Sequence, residues 1–124
     1  MTSQYHLNIE KRPLYLYACV QGGAVGGDVV RQYLSEILEV FRSAHYSRLL
    51  IKKEIAAALD TEDIDFVADE IVRHGAQGLR IAIVDEESDD PHELNRMGEG
   101  ARSTGLDVTF FDSFTAGVHW LLHG

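Results

Sequence analysis

Residues 79–113, LRIAIVDEESDDPHELNRMGEGARSTGLDVTFFDS, contain a strand, a helix and a second strand in immediate succession. Leu79–Asp85 is an apolar run that ends in turn residues, which is typical of a strand buried on both faces. A helix start follows, because Asp90 is a good cap and Pro91 suits the first helical position. Asp107–Asp112 then returns to a strand pattern. Such a unit predicts two parallel strands joined by a right-handed crossover.

The same alternation of strands and helices extends over the rest of the chain. Tyr5–Glu10 alternates between apolar and polar residues, and Leu14–Val20 is a more apolar run after the break at Pro13. The short connection predicts an antiparallel pair with the first strand at an edge. The remaining predicted elements are a helix from Asp28 to Phe41, a strand at Arg48–Lys52, a helix over 64–72 that ends at His74-Gly75, a helix from Pro91 that stops near Gly105 and a terminal helix from Phe114 to Leu122 capped by Ser113 or Asp112.

The predicted fold class is therefore α/β, with the order β-β-α-β-α-β-α-β-α. It has a largely parallel sheet, one antiparallel edge strand and helices on its faces. No repeat or linker divides the chain, so residues 1–124 are predicted to form one domain.

Charge and composition narrow the classes of function. The chain has 20 acidic and 11 basic residues and a formal net charge of −9. This balance weighs against nucleic acid and against anionic membrane surfaces, because both are bound through Lys and Arg. No apolar stretch is long enough for membrane insertion, and the amino terminus has no signal-peptide pattern, so we expect a cytoplasmic protein. Cys19 is the only cysteine and is predicted to be reduced and buried.

The segments LRIAIVD, HELNRMGEGARSTGLDVTFFDS and TAGVHWLL, together with the element order, resemble the SpoIIAA-like proteins. These are small bacterial proteins, mostly uncharacterised, related in fold to the STAS domain, whose best-known members are anti-sigma-factor antagonists. The resemblance extends from about Leu14 to the end of the chain. It implies a STAS-like fold and a non-catalytic regulatory role, exerted on a protein partner or through self-association as a homodimer.

The resemblance also implies one functional position. Its antagonists carry a phosphorylatable Ser or Thr at the start of the helix after the third strand, following an Asp. Asp60 and Thr61 occupy that place here, although the glycine of the family pattern is missing and Glu62 and Asp63 add negative charge. Thr61 is thus a candidate phospho-acceptor or partner-docking residue. The residues alone also allow a simpler role, in which Thr61 or Asp60 caps the helix and the acids complement its dipole.

Acidic residues at predicted strand ends form a second candidate site. Asp85 and Glu86 follow one strand and Asp112 follows another, and ligands of α/β sheets bind at the carboxyl ends of strands. Carboxylates are ligands for divalent cations, so an ion site or an enzyme that uses this loop is one alternative, and a merely solvated loop is the other. No recognisable catalytic motif or histidine metal motif is present, so we predict no enzymatic activity and no bound metal.

The glycine-rich stretch QGGAVGGDVV, residues 21–30, is not predicted to bind a cofactor. It lacks the G-x-G-x-x-G spacing of dinucleotide sites and the lysine of a P-loop. We interpret it as a turn out of the second strand, with Asp28 or Gly27 as the helix cap.

A further alternative is a carrier of small apolar ligands, since the CRAL-TRIO lipid carriers share this fold class. That hypothesis requires an enclosed pocket larger than about 300 Å3. Aromatic residues that could line it, or could instead form the core itself or a dimer interface, are Tyr15, Tyr17, Phe110, Phe111, Phe114 and Trp120.

Overall fold

A computed structural model describes residues 5–22, 27–55, 69–73, 75, 79–86, 91–102 and 107–123. The elements follow the predicted order. They are β1 (Tyr5–Lys11), β2 (Leu16–Gly22), α1 (Gly27–Ser43), β3 (Arg48–Ile55), a helical segment α2 (69–73), β4 (Arg80–Val84), α3 (Pro91–Arg102), β5 (Asp107–Phe111) and α4 (Phe114–His123).

The five strands form one sheet in the order β1-β2-β3-β4-β5. β1 is antiparallel to β2, with Tyr5 opposite Gly22 and Lys11 opposite Leu16. The other three pairings are parallel. The predicted largely parallel sheet with one antiparallel edge strand is confirmed.

One face of the sheet carries the larger core. Successive right-handed crossovers that step in one direction along a sheet place their helices on the same face. Accordingly α1 and α2 pack there, and α1 buries the stripe that its periodicity predicts. The buried residues of this face are Leu16, Ala18, Val20, Tyr33, Leu34, Ile37, Leu38, Phe41, Leu49, Ile51, Ile71, Ile81, Ile83, Val108 and Phe110. Each buried aliphatic side chain of this kind contributes roughly 1.5–3 kcal/mol relative to exposure.

The opposite face is covered by α4 over β3, β4 and β5. Its buried residues are Tyr15, Leu50, Ala82, Val84 and Leu121. The helix lies close to the sheet at Gly117, where an added Cβ would come within 2.7 Å of Val84 Cγ2. Only a residue without a side chain permits this approach.

Helix termini follow the predicted capping chemistry. Ser113 Oγ accepts a hydrogen bond from Ala116 N at 3.2 Å and so caps α4. Gly75, with φ 69°, stands just beyond α2 in the left-handed conformation expected of a carboxyl cap. His45 takes the same conformation after α1, with φ 59°.

The bounds of β2, α1 and β3 differ from the prediction. Leu14 is 60% exposed and precedes β2, which runs two residues further than expected, through Gln21 and Gly22. The helix α1 begins at Gly27, so Asp28 lies within its first turn. β3 continues to Ile55, because Lys52, Lys53 and Glu54 carry on the strand alternation beyond the apolar run. Among the described helices, none is both long enough and apolar enough to cross a membrane.

Candidate functional site at the carboxyl edge of the sheet

Four polar side chains meet where β2, β3 and β4 end. Parallel strands present their carboxyl ends at the same edge of a sheet, which is where ligands of such folds bind. Here Gln21 of β2 is in register with Glu54 of β3, and Lys52 is in register with Val84, two residues before Glu86. Gln21, Lys52, Glu54 and Glu86 line a groove of about 290 Å3 together with Lys53. We call the first four residues the edge cluster.

Lys52 is the centre of the edge cluster. Its Nζ atom lies 3.1 Å from Glu54 Oε1 and 3.3 Å from Glu86 Oε1. Gln21 Nε2 donates a hydrogen bond to the other carboxylate oxygen of Glu54. The ammonium group and the first carboxylate are therefore held in fixed positions, although about a quarter of the Lys52 side chain is still exposed.

These contacts stabilise the charged forms of the cluster. The hydrogen bond from Gln21, followed by that from Lys52, lowers the pKa of Glu54 below its ordinary value. The hydrogen bonds to Glu54 and then to Glu86 raise the pKa of Lys52. Both groups thus remain ionised across the neutral pH range, as a site that recognises charged or polar groups requires.

Aromatic and cationic side chains border the edge cluster. Phe114, the first residue of α4, packs edge-on against Tyr17 with ring centroids 5.9 Å apart. The Arg12 guanidinium lies 4.2 Å from the Tyr17 ring centroid. Glu86 Oε2 accepts from Phe114 N at 3.5 Å, which places a carboxylate at a helix amino terminus, where it is favourable. The edge cluster is in this way linked to the start of α4.

A second ion pair lies at the same edge on the opposite face. Lys53 Nζ is 3.7 Å from Asp85 Oδ2, and the Lys53 side chain is only 4% exposed. Asp85 N donates to Phe111 O at 2.8 Å, which fixes the chain where it leaves β4. A buried charge requires a partner, so this pair holds the end of β3 against the loop after β4.

The structure places the predicted acidic residues as follows. Asp85 and Glu86 lie at the carboxyl edge, as predicted, and each is paired with a lysine. Asp112 is exposed at the end of β5. Within the part of the chain that the structure describes, no group of three or more His, Cys, Asp or Glu side chains is placed to hold a metal ion. Asp60 and Thr61 lie outside the described residues.

Gln21, Lys52 and Lys53 were not singled out from the sequence. The signal for the lysines is the KKE triplet that follows RLLI, since charged residues on both faces of a strand indicate its exposed end. Nothing in the sequence shows that Gln21 is opposite Glu54, because strand register is a property of the folded sheet.

Cys19 is buried, as predicted, at 8% exposure. Burial is the main reason that the pKa of its thiol is raised, with the negative charge of Glu54 adding to the effect. A raised pKa disfavours the thiolate, which is the reactive form.

The six aromatic residues considered as a pocket lining lie on two faces of the sheet. Phe110 belongs to the α1 face, whereas Tyr15, Tyr17, Phe111, Phe114 and Trp120 belong to the α4 face. Tyr15 and Phe114 also border a groove of about 320 Å3 beside α4, which is open to solvent. The aromatic residues thus pack in and around the two cores, which is one of the roles expected for them.

The fold is that of an α/β protein with a five-stranded mixed sheet. The chain is similar to the crystal structure of an anti-sigma factor antagonist from Mycobacterium paratuberculosis, with a TM-score of 0.63 and 10% sequence identity over 95% of this chain and 94% of that one. At this identity the likeness concerns the fold. No protein-family model and no curated protein sequence matches the chain.

Proposed function

We propose that this chain is a single non-catalytic domain of the SpoIIAA-like type, which acts in regulation by binding a protein partner. The observation that carries the proposal is the agreement in fold, over 95% of the chain, with an anti-sigma factor antagonist. The carboxyl edge adds a surface suited to such binding, because it combines charged groups with the partly exposed rings of Tyr17 and Phe114. We further infer that the protein works in the cytoplasm, in keeping with its composition.

The docking surface proposed here is the edge cluster together with the segment that follows β3. The chain leaves β3 at Ile55, at the same edge as Lys52 and Glu54. Asp60 and Thr61 are the fifth and sixth residues after Ile55 in the sequence. Thr61 is the proposed phospho-acceptor, and a phosphate there would add negative charge to this segment.

The experiment compares partner capture by matched variants of the full chain in extracts of the cells that express it. Lys52→Glu reverses the central charge of the edge cluster and leaves Glu54 and Glu86 without their cation, so a specific partner should be lost. Arg96→Glu makes the same charge change at an exposed residue of α3, and this variant should still bind the partner. A partner held equally by both variants would show that the edge cluster is not the docking surface.

A second pair of variants tests whether phosphorylation of Thr61 changes partner binding. Thr61→Asp imitates the added negative charge and Thr61→Ala removes the hydroxyl, so the two should change partner affinity in opposite directions. Equal affinity of both variants for the captured partner would exclude Thr61 as a switch while leaving the docking surface intact.

A further inference from the structure

Within the part of the chain that the structure describes, no strand pairs with the outer edge of β1, which is the longer of the two edges of the sheet. Exposed edges invite pairing, and proteins blunt them with short strands, bulges, proline or covering side chains. β5, at the other end of the sheet, has five residues, and Arg102 reaches around it to Thr109 Oγ1 at 3.1 Å. β1 has seven residues, pairs with β2 without a bulge and contains no proline. Of its residues only the last, Lys11, is a lysine.

The sequence of β1 is self-complementary about Asn8. In an antiparallel pair of two β1 strands centred on this residue, His6 is opposite Glu10 and Leu7 is opposite Ile9, each twice. His6 and Glu10 are exposed on one face of the sheet, whereas Leu7 and Ile9 pack against the core on the other. In this register each of these polar residues is opposite a polar residue of the other strand, and each of these apolar residues is opposite an apolar one, as stable cross-strand pairing requires.

The ends of the strand are complementary as well. The same register brings Lys11 of the second copy opposite Tyr5. The hydroxyl of Tyr5 donates to Glu36 of α1 at 2.8 Å. A lysine of the second copy is thereby brought to a carboxylate that already lies beside the edge, and Tyr5 would be enclosed between them.

We propose that two copies of this chain associate through their β1 strands, antiparallel and centred on Asn8, to form a continuous ten-stranded sheet. The occupant is a second copy because the strand complements itself in charge and polarity under a two-fold axis. The surface is the outer edge of β1 and does not use Lys52 or Glu86. Its failure would therefore leave the partner-docking proposal untouched.

Opposite charge changes at one exposed position test the pairing. His6→Glu places like charges opposite Glu10 at two positions per dimer and should raise the dissociation constant about two- to thirty-fold. His6→Lys should lower it by a comparable factor. The matched controls His119→Glu and His119→Lys, at an exposed site on α4, change the net charge equally and should leave it unchanged. Sedimentation equilibrium measures the dissociation constants of the wild-type protein and these four variants. The ionic strength is set near 0.15 M, because charges more than about 8 Å apart are then largely screened.

The wild-type protein should show a concentration-dependent mass that rises from 13.8 kDa to twice that value. A protein that stays monomeric at every concentration would overturn the proposal. A dimer whose dissociation constant is the same with His6→Glu as with His6→Lys would also overturn it.

Disulfide cross-linking tests the register. Asn8 is directly opposite Cys19 within one copy, so the variants are made with Cys19→Ala to prevent an internal bridge. With oxidised glutathione as oxidant, Asn8→Cys should give a covalent dimer, since directly opposed residues have the Cα separation that a disulfide needs. His6→Cys alone and Glu10→Cys alone should stay monomeric on denaturing gels, and their mixture should cross-link. Absence of the Asn8 cross-link, or a His6→Cys dimer, would refute the register.

Discussion

At the scale of single residues, the contact between α4 and the sheet depends on Gly117. A methyl group at this position would come within 2.7 Å of Val84 Cγ2, a buried atom of the sheet that has no room to move. The sequence places Gly117 on the buried side of α4, but helical periodicity does not reveal how closely a helix approaches its sheet. That distance is set by side chains of β3, β4 and β5 together.

Gly117→Ala should lower the free energy of unfolding by about 1–3 kcal/mol, because overpacking strains the contact with Val84. Gly98→Ala on α3 is the matched control. Its added methyl group meets only the guanidinium end of Arg102, at 2.9 Å, which can shift at the cost of weakening its hydrogen bond to Thr109 Oγ1, so the free energy of unfolding should change by less than about 1 kcal/mol. Urea unfolding measures both variants. A destabilised Gly98→Ala together with an unchanged Gly117→Ala would contradict the described packing of α4.

The ionisation of Glu54 tests the hydrogen bonds of the edge cluster. Gln21 is the largest cause of its lowered pKa, so Gln21→Ala should raise the Glu54 pKa toward its ordinary value. Because the pKa is lowered in the folded state, the stabilising contribution of Glu54 is present above the ordinary carboxyl pKa and is lost as the pH falls through the lowered value. NMR titration of the side-chain carboxyl carbons measures the shift. Gln32→Ala, an exposed amide on α1, should leave the Glu54 titration unaltered.

At the scale of elements, the strands and helices were predictable because burial imposes their period on the sequence. α1 is the clearest case: Tyr33, Ile37 and Phe41 recur at helical spacing and are all buried. Strand ends were less predictable. Leu14 is apolar yet exposed, whereas Lys53 and Glu54 are charged yet belong to β3, so hydrophobicity misplaces the start of β2 and the end of β3.

The candidate site was predictable only in part, for the same reason. Asp85 and Glu86 follow an apolar strand and are visible in the sequence as a strand end. Their lysine partners belong to another strand, and the pairing depends on which strands are neighbours. Gln21 was assigned to a glycine-rich turn, but it continues β2 because it pairs with β3.

Arg80 joins three elements at the start of β4. Its Nε atom donates to Asp107 Oδ2 of β5 at 3.1 Å, and its Nη1 atom donates to Trp120 O of α4 at 3.0 Å. The guanidinium also lies 4.6 Å from the Trp120 ring centroid. A planar group with several donors makes all these contacts at once.

Arg80→Lys should therefore lower the free energy of unfolding by roughly 1–2 kcal/mol, because an ammonium group reaches one of these acceptors and leaves the other unpaired. Thermal unfolding measures the effect as a lowered midpoint temperature. Arg96→Lys, at an exposed residue of α3, is the control and should leave the midpoint temperature unchanged. Equal midpoints for the two variants would show that Arg80 does not tie α4 to the sheet.

At the scale of the whole molecule, the two faces of the sheet are covered unequally. The crossover helices cover one face, whereas α4 covers β3, β4 and β5 on the other. Exposed polar residues of β1 and the edge cluster lie on that second face. The two surfaces proposed for association, the carboxyl edge and the outer edge of β1, both include residues of this face. The net charge of −9 favours partners that present basic groups.

The central claim is that a protein partner binds at the carboxyl edge, and site-specific photo-cross-linking in the native cells tests it most directly. A photoreactive residue at Asp112, exposed at this edge, should give a discrete adduct with a partner protein that mass spectrometry can identify. The same group at Glu99, exposed on α3, should not give that adduct. No adduct from Asp112, or the same adduct from both positions, would contradict the claim.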